Sequence, residues 1–159
     1  MTRISRYLAI LVIILGVVGV TMGSVFIAQA VQKDHWMAEA MRVEHVTLGL
    51  SEEQIAKGEV VDTAKEAQIA GDTIREHRRN IAPTYEDLLG GGQFDPTNPK
   101  DLSYAQALNM ENYLYLAVLG FGVTTVIIGT GVFMILIGIA LGGTGVVLLG
   151  LARKTPWSS

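Results

Sequence analysis

Apolar positions in this chain gather into two long blocks, Tyr7 to Val31 and Tyr113 to Ala152, and neither contains a charged side chain. At 25 and 40 residues, both exceed the ~20 that a helix needs to cross a hydrocarbon core about 30 Å thick. In one frame of the second block every seventh residue is small: Ala117, Thr124, Gly131, Gly138, Gly145 and Ala152. The first block repeats the device with Ala9, Gly16, Gly23 and Ala30. A seven-residue repeat keeps one seam of a helix facing a partner, with a gentle left-handed supercoil. Small residues on that seam let two backbones approach closely in lipid, where burial from water supplies no drive between helices. The pattern predicts an all-α membrane protein: two transmembrane helices, the second unusually long or kinked, with a helical segment between them.

The second block is long for a single crossing, since forty residues make about 60 Å of straight helix. One solution is a long helix that weakens or kinks near Gly142-Gly143-Thr144-Gly145, where clustered glycines favour bends. The other is a tight hairpin turning near Gly129-Thr130-Gly131. The first block resembles a secretory signal in its Ala28-Gln29-Ala30, a small-x-small pattern. Signal cores are only about 7 to 15 residues long, so the reading here is an uncleaved anchor, consistent with the retained Met1 and with Tyr7 and Trp36 as interfacial aromatics.

Between the blocks the pattern is helical but thin. Asp34 to Val46 continues the first helix, and Thr47-Leu48-Gly49-Leu50 interrupts it. Ser51 with Gln54 makes a capping box for a short helix ending at Gly58, and Thr63 with Glu66 makes another for the best soluble helix, Thr63 to Ile81. Ala64, Ala67, Gly71, Ile74, Arg78 and Ile81 follow a three-four spacing, a narrow stripe suited to one neighbouring helix. Pro83 ends that helix. Thr84 to Leu89 reads as one or two turns, Gln93 to Lys100 as an extended loop, and Ser103 with Gln106 as a third capping box leading into the second block.

Charge adds the topology. All fifteen acidic residues lie from Asp34 to Glu111, beside eight basic ones counted from Lys33, leaving that region near -7. Only Arg3, Arg6, Arg153 and Lys154 carry charge at the ends. Lys and Arg near span ends favour the cytoplasmic side. The expected layout is a cytoplasmic tail at 1–6, a span at 7–31, an exofacial acidic segment at 32–112, the long second span at 113–152 and a cytoplasmic tail at 153–159, in the cell membrane. A hairpin would put Arg153 and Lys154 outside, against that tendency.

Candidate chemistry changes little. The chain has no cysteine, which removes disulfides, thiolate metal sites and a cysteine nucleophile. His35, His45 and His77 match no metal-ligand spacing, and the carboxylate pairs Glu52-Glu53 and Glu86-Asp87 sit in a segment too poor in apolar residues to build a pKa-shifting pocket. No catalytic, cofactor or metal residue is assigned. Gly90-Gly91-Gly92 lacks the phosphate-loop pattern. Arg75, Arg78 and Arg79 read as a solvated helix face paired with Glu76 and Asp72. The acidic segment disfavours nucleic acid, and spans without ionisable residues disfavour transport.

Arg3-Ile4-Ser5-Arg6-Tyr7-Leu8-Ala9 and the run from Phe121 to Gly138 resemble an uncharacterised group of small two-span membrane proteins of actinobacteria and relatives, some named "aromatic ring-opening dioxygenase". The resemblance implies a single second crossing that ends in basic residues; here the block extends past Leu141. The dioxygenase name implies an iron site of histidines and a carboxylate, which this sequence does not provide. The expected role is structural or accessory, through helix packing at Ala9, Gly16, Gly23, Ala30, Ala117, Thr124, Gly131, Gly138 and Gly145. The partners expected are membrane lipid and a second copy or larger membrane complex. A binding or sensor module for an envelope ligand is the alternative, and a membrane enzyme ranks third.

Overall fold

A computed structural model of the protein describes residues 3–154, with side chains from residue 5 to residue 151. Five helices follow one another: α1 (Arg3–Val43), α2 (Glu52–Ala56), α3 (Ala64–Ile81), α4 (Tyr85–Leu89) and α5 (Pro99–Lys154), with no strand among the described residues. Two of them, α1 and α5, are long and apolar enough to cross a membrane. Of the predicted tails, residues 1–2 and 155–159 lie outside the described residues, as does the side chain of Ala152.

The forty-residue block forms part of one helix, and the hairpin alternative is not adopted. Helix α5 runs through Gly129-Thr130-Gly131 and through Gly142 to Gly145 without a break. The hydroxyls of Thr130 and Thr144 donate back to the carbonyls of Val126 and Ala140 at 2.9 and 2.8 Å. Their polar groups are thereby satisfied within the helix, so no turn is needed to solvate them.

The chain divides into two compact units. One is a helix pair made of α1 up to Lys33 and α5 from Thr124 onward. The other, the central unit, spans Asp34–Val123. The boundaries differ from the predicted span limits, because the residues from Tyr113 to Val123 belong to the central unit.

Local signals set the ends of the central helices. At the end of α1, His45 adopts the left-handed conformation (φ 50°), a position usually given to glycine. Its N–H donates to the Arg42 carbonyl at 3.1 Å. Ser51 and Thr63 form the capping boxes of α2 and α3. The third capping box is at Thr84 with Asp87, opening α4, and not at Ser103. Helix α5 begins earlier than Ser103, at Pro99, because proline at the first helical position loses only an N–H that has no partner there. The Asn98 side chain accepts the Lys100 N–H at 2.9 Å, taking the capping role expected of Ser103.

Two small cores result. In the first, Val61, Ala67, Ala70 and Leu114 are buried, with Met41, Val46, Leu48, Leu50, Ile74, Ala117 and Val118 packed around them. The second groups Ala82, Leu88 and Tyr104 with Ile81 and Leu108. The alanine-rich face of α3 explains their size: short side chains bring α3 close to α5 but bury little area.

Candidate functional site

In the helix pair the buried residues are Ala9, Gly16, Gly23 and Ala30 on α1, and Thr124, Gly131, Gly138 and Gly145 on α5. These positions fall in the two seven-residue frames. Many large apolar side chains point away from them, with Ile14, Val126, Phe133, Leu136 and Ile139 all more than half exposed, while Ile13, Val20, Ile27 and Ile135 are half-buried and flank the glycines of the facing helix. At the glycines backbone also meets backbone. A Cβ on Gly16 would lie 2.6 Å from the Gly138 carbonyl oxygen, one on Gly23 would lie 2.5 Å from that of Gly131, and one on Gly145 would lie 2.9 Å from that of Ala9. The helices are therefore antiparallel and in one fixed register. Ala117 lies elsewhere, in the central unit, where it packs on the first core.

Two glycines outside the frames belong to the same contact. A Cβ on Gly19 would come within 3.2 Å of the Gly138 Cα, and one on Gly16 within 2.6 Å of the Gly142 nitrogen. A second glycine row also exists on α5. Gly122, Gly129, Gly143 and Gly150 are spaced by sevens around Leu136, and a Cβ at any of the four would meet nothing within 4 Å. Each lies two residues before the filled row, about 200° around the helix. Seven-residue spacing alone marks this row in the sequence.

The central unit holds the polar network that the sequence did not disclose. Arg78 is buried, not solvated as expected. Its Nε lies 2.7 Å from Glu111 Oε2, with the two side chains only 11% and 9% exposed. A second guanidinium nitrogen donates to the Tyr104 hydroxyl, and the guanidinium stands 5.0 Å from the centre of the Tyr104 ring. The hydrogen bond to Glu111 is the main cause that holds the Arg78 pKa above its usual value, against desolvation. Burial follows from the α3 stripe itself, in which Arg78 occupies an inward position with Ala67, Ala70 and Gly71. Spacing marks the position as inward, but only the facing Glu111 makes a charge tolerable there.

Nearly two turns earlier on α3, Asp72 accepts from the Tyr115 hydroxyl at 2.7 Å and pairs with Arg75 at 2.7 Å. Its pKa is lowered, chiefly by the Tyr115 hydrogen bond. The Tyr115 ring closes on Gly71, where a Cβ would lie 3.1 Å from it. Arg42, at the end of α1, reaches Asp62 at 2.6 Å and ties α1 to the segment that precedes α3.

No protein-family model, curated protein or solved structure matches the chain.

Among the described residues no group of three His, Asp or Glu side chains is placed to hold a metal ion. The ionisable groups that meet in the central unit are engaged with one another, which gives them a structural part.

Proposed function

We propose that the chain is a two-span integral membrane protein with a structural or accessory role, acting through helix packing and through self-association or assembly into a larger complex. It crosses the cell membrane at α1 and α5, with both termini cytoplasmic and residues 32–112 outside. The observation that carries this reading is the inversion of the helix pair. Glycine and alanine line the contact, flanked by Ile13, Val20, Ile27 and Ile135, while most bulky side chains face outward, and only 11% of an 18-residue apolar window in each helix is buried. A soluble core helix has the reverse arrangement, and an exposed apolar surface of this extent calls for lipid or a partner. The open row of Gly122, Gly129, Gly143 and Gly150 repeats the spacing of the filled row and suits a second copy of α5.

The cysteine-free chain makes the test direct. Leu136→Cys, on the open row, crosslinks between copies in native membranes, whereas Ile137→Cys, about 100° away, does not. Equal crosslinking at both sites, or none at Leu136, refutes self-association through this row. In intact cells an impermeant maleimide labels Glu76→Cys and leaves Thr2→Cys and Ser158→Cys unlabelled; labelling of either terminus overturns the orientation.

A further inference from the structure

In the central unit a shallow, open cleft of about 560 Å³ lies where α4 and the loop before α5 face the start of α5. Its walls are Tyr85, Phe94 and Leu108, with Gln106, Asn109 and Asn112 along one side. We propose that this cleft binds a neutral oligosaccharide.

Charge narrows the ligand first. The chain carries fifteen acidic and twelve basic residues, most of them in this unit, yet none lines the cleft. No cation awaits a phosphate or carboxylate there, and no carboxylate awaits an amine or a metal ion. The three carboxamides are exposed, and no hydrogen bond among the described residues engages their side chains. Each offers two donors and an acceptor side by side, the complement of a pair of neighbouring hydroxyls. An acyl chain in the same place would leave those amides desolvated and unpaired, at a cost of about 1–3 kcal/mol each.

Spacing separates a sugar from a peptide. Residues three apart on a helix rise about 4.5 Å and turn by about 60°, which sets their Cβ atoms about 5–6 Å apart, so the amides form a slowly winding ladder with that step. An extended peptide presents the same side only every ~6.7 Å and falls out of step with it, whereas successive pyranose rings advance by nearly one rung. The aromatic walls suit the apolar CH faces of such rings, since an aromatic body is apolar and flat.

The cleft is also held ready. The Tyr85 ring leans on Tyr104 with centroids 6.2 Å apart, and Tyr104 is fixed in turn by Arg78 and, through it, Glu111. Beside Phe94, the Asp95 N–H donates to the Asp101 carboxylate at 3.0 Å, and the Asp95 carboxylate accepts from the Thr97 N–H at 2.8 Å. Walls fixed before binding spare the ligand the cost of ordering them. The buried ion pair thereby acquires a purpose beyond stability. The proposal is independent of self-association and of membrane orientation.

The test uses the full chain in lipid nanodiscs, titrated with neutral tetrasaccharides (β-1,4-glucan, α-1,4-glucan, β-1,4-linked N-acetylglucosamine and α-1,6-mannan) and followed by calorimetry and tyrosine fluorescence. At least one binds saturably. Asn109→Ala and Asn112→Ala, which remove no hydrogen bond among the described residues, each weaken it about tenfold without lowering the melting temperature, while Asn80→Ala on the exposed side of α3 has no effect on binding. Binding by none of the four overturns the proposal. So does unchanged affinity in both asparagine variants, or competition by an extended peptide in place of a sugar.

Discussion

Gly138→Ala isolates the backbone contact of the helix pair in a single methyl group. The new Cβ would lie 2.6 Å from the Gly16 carbonyl oxygen and 2.7 Å from the Val20 nitrogen, almost 1 Å inside an ordinary contact of about 3.5 Å. Both obstacles are backbone atoms, so no side-chain rotation relieves the clash and the helices must move apart. A gap of 0.5–1 Å forfeits a quarter to a half of each contact, and a patch of roughly 40 atom pairs then loses about 1–3 kcal/mol. Alanine recovers about 0.5–1 kcal/mol through its better helix propensity. Gly142→Ala is the control, because its Cβ meets nothing within 4 Å and it receives only the propensity gain. Unfolding in mixed micelles titrated with denaturing detergent measures both variants. Spin labels at Val17 and Ile139, beside the contact, report the separation. Gly138→Ala is expected to be the less stable variant by about 2 kcal/mol, with a longer distance between labels. Equal stability, or an unchanged distance, refutes the claim that close backbone approach holds the pair.

Three further outcomes follow from the central unit. Glu111→Ala leaves Arg78 buried without its counter-charge and destabilises the unit by about 3–5 kcal/mol, whereas Arg78→Met with Glu111→Leu costs much less; thermal melting in nanodiscs distinguishes them. Asp72 has a pKa below its usual 3.8, so its contribution is fully present above 3.8 and is lost as the pH falls through the depressed value. Asp72→Asn and Tyr115→Phe should each flatten that acid limb of the stability curve, measured by circular dichroism against pH. His45→Gly relieves a left-handed conformation (φ 50°) and should raise stability by about 0.5–1 kcal/mol; a drop in melting temperature instead would show that the imidazole makes a compensating interaction.

Much of the architecture was legible because it rests on local rules. Two uninterrupted apolar runs predict two long helices, and the capping boxes at Ser51 and Thr63 mark the starts of α2 and α3 where side chain and backbone bond within four residues. The same rule misplaced the start of α5 at Ser103, since Asn98 and Pro99 cap the helix first and the chain has no reason to wait. Spacing put Arg78 in the inward stripe of α3, yet its charge argued for solvent. The conflict is resolved by Glu111, thirty-three residues away, which no local pattern connects to it.

The sequence by itself determined which face of each long helix is narrow enough for close approach, because a side chain's size and its place in a seven-residue frame are properties of the chain alone. Tertiary structure decided the rest: that Gly16 meets Gly138 and Gly23 meets Gly131, that Ala117 serves the central core, and that three idle amides line a cleft with two aromatic rings. Each of these is a relation between residues distant along the chain. Periodicity fixes direction around one helix, but only packing against a second helix fixes height along it.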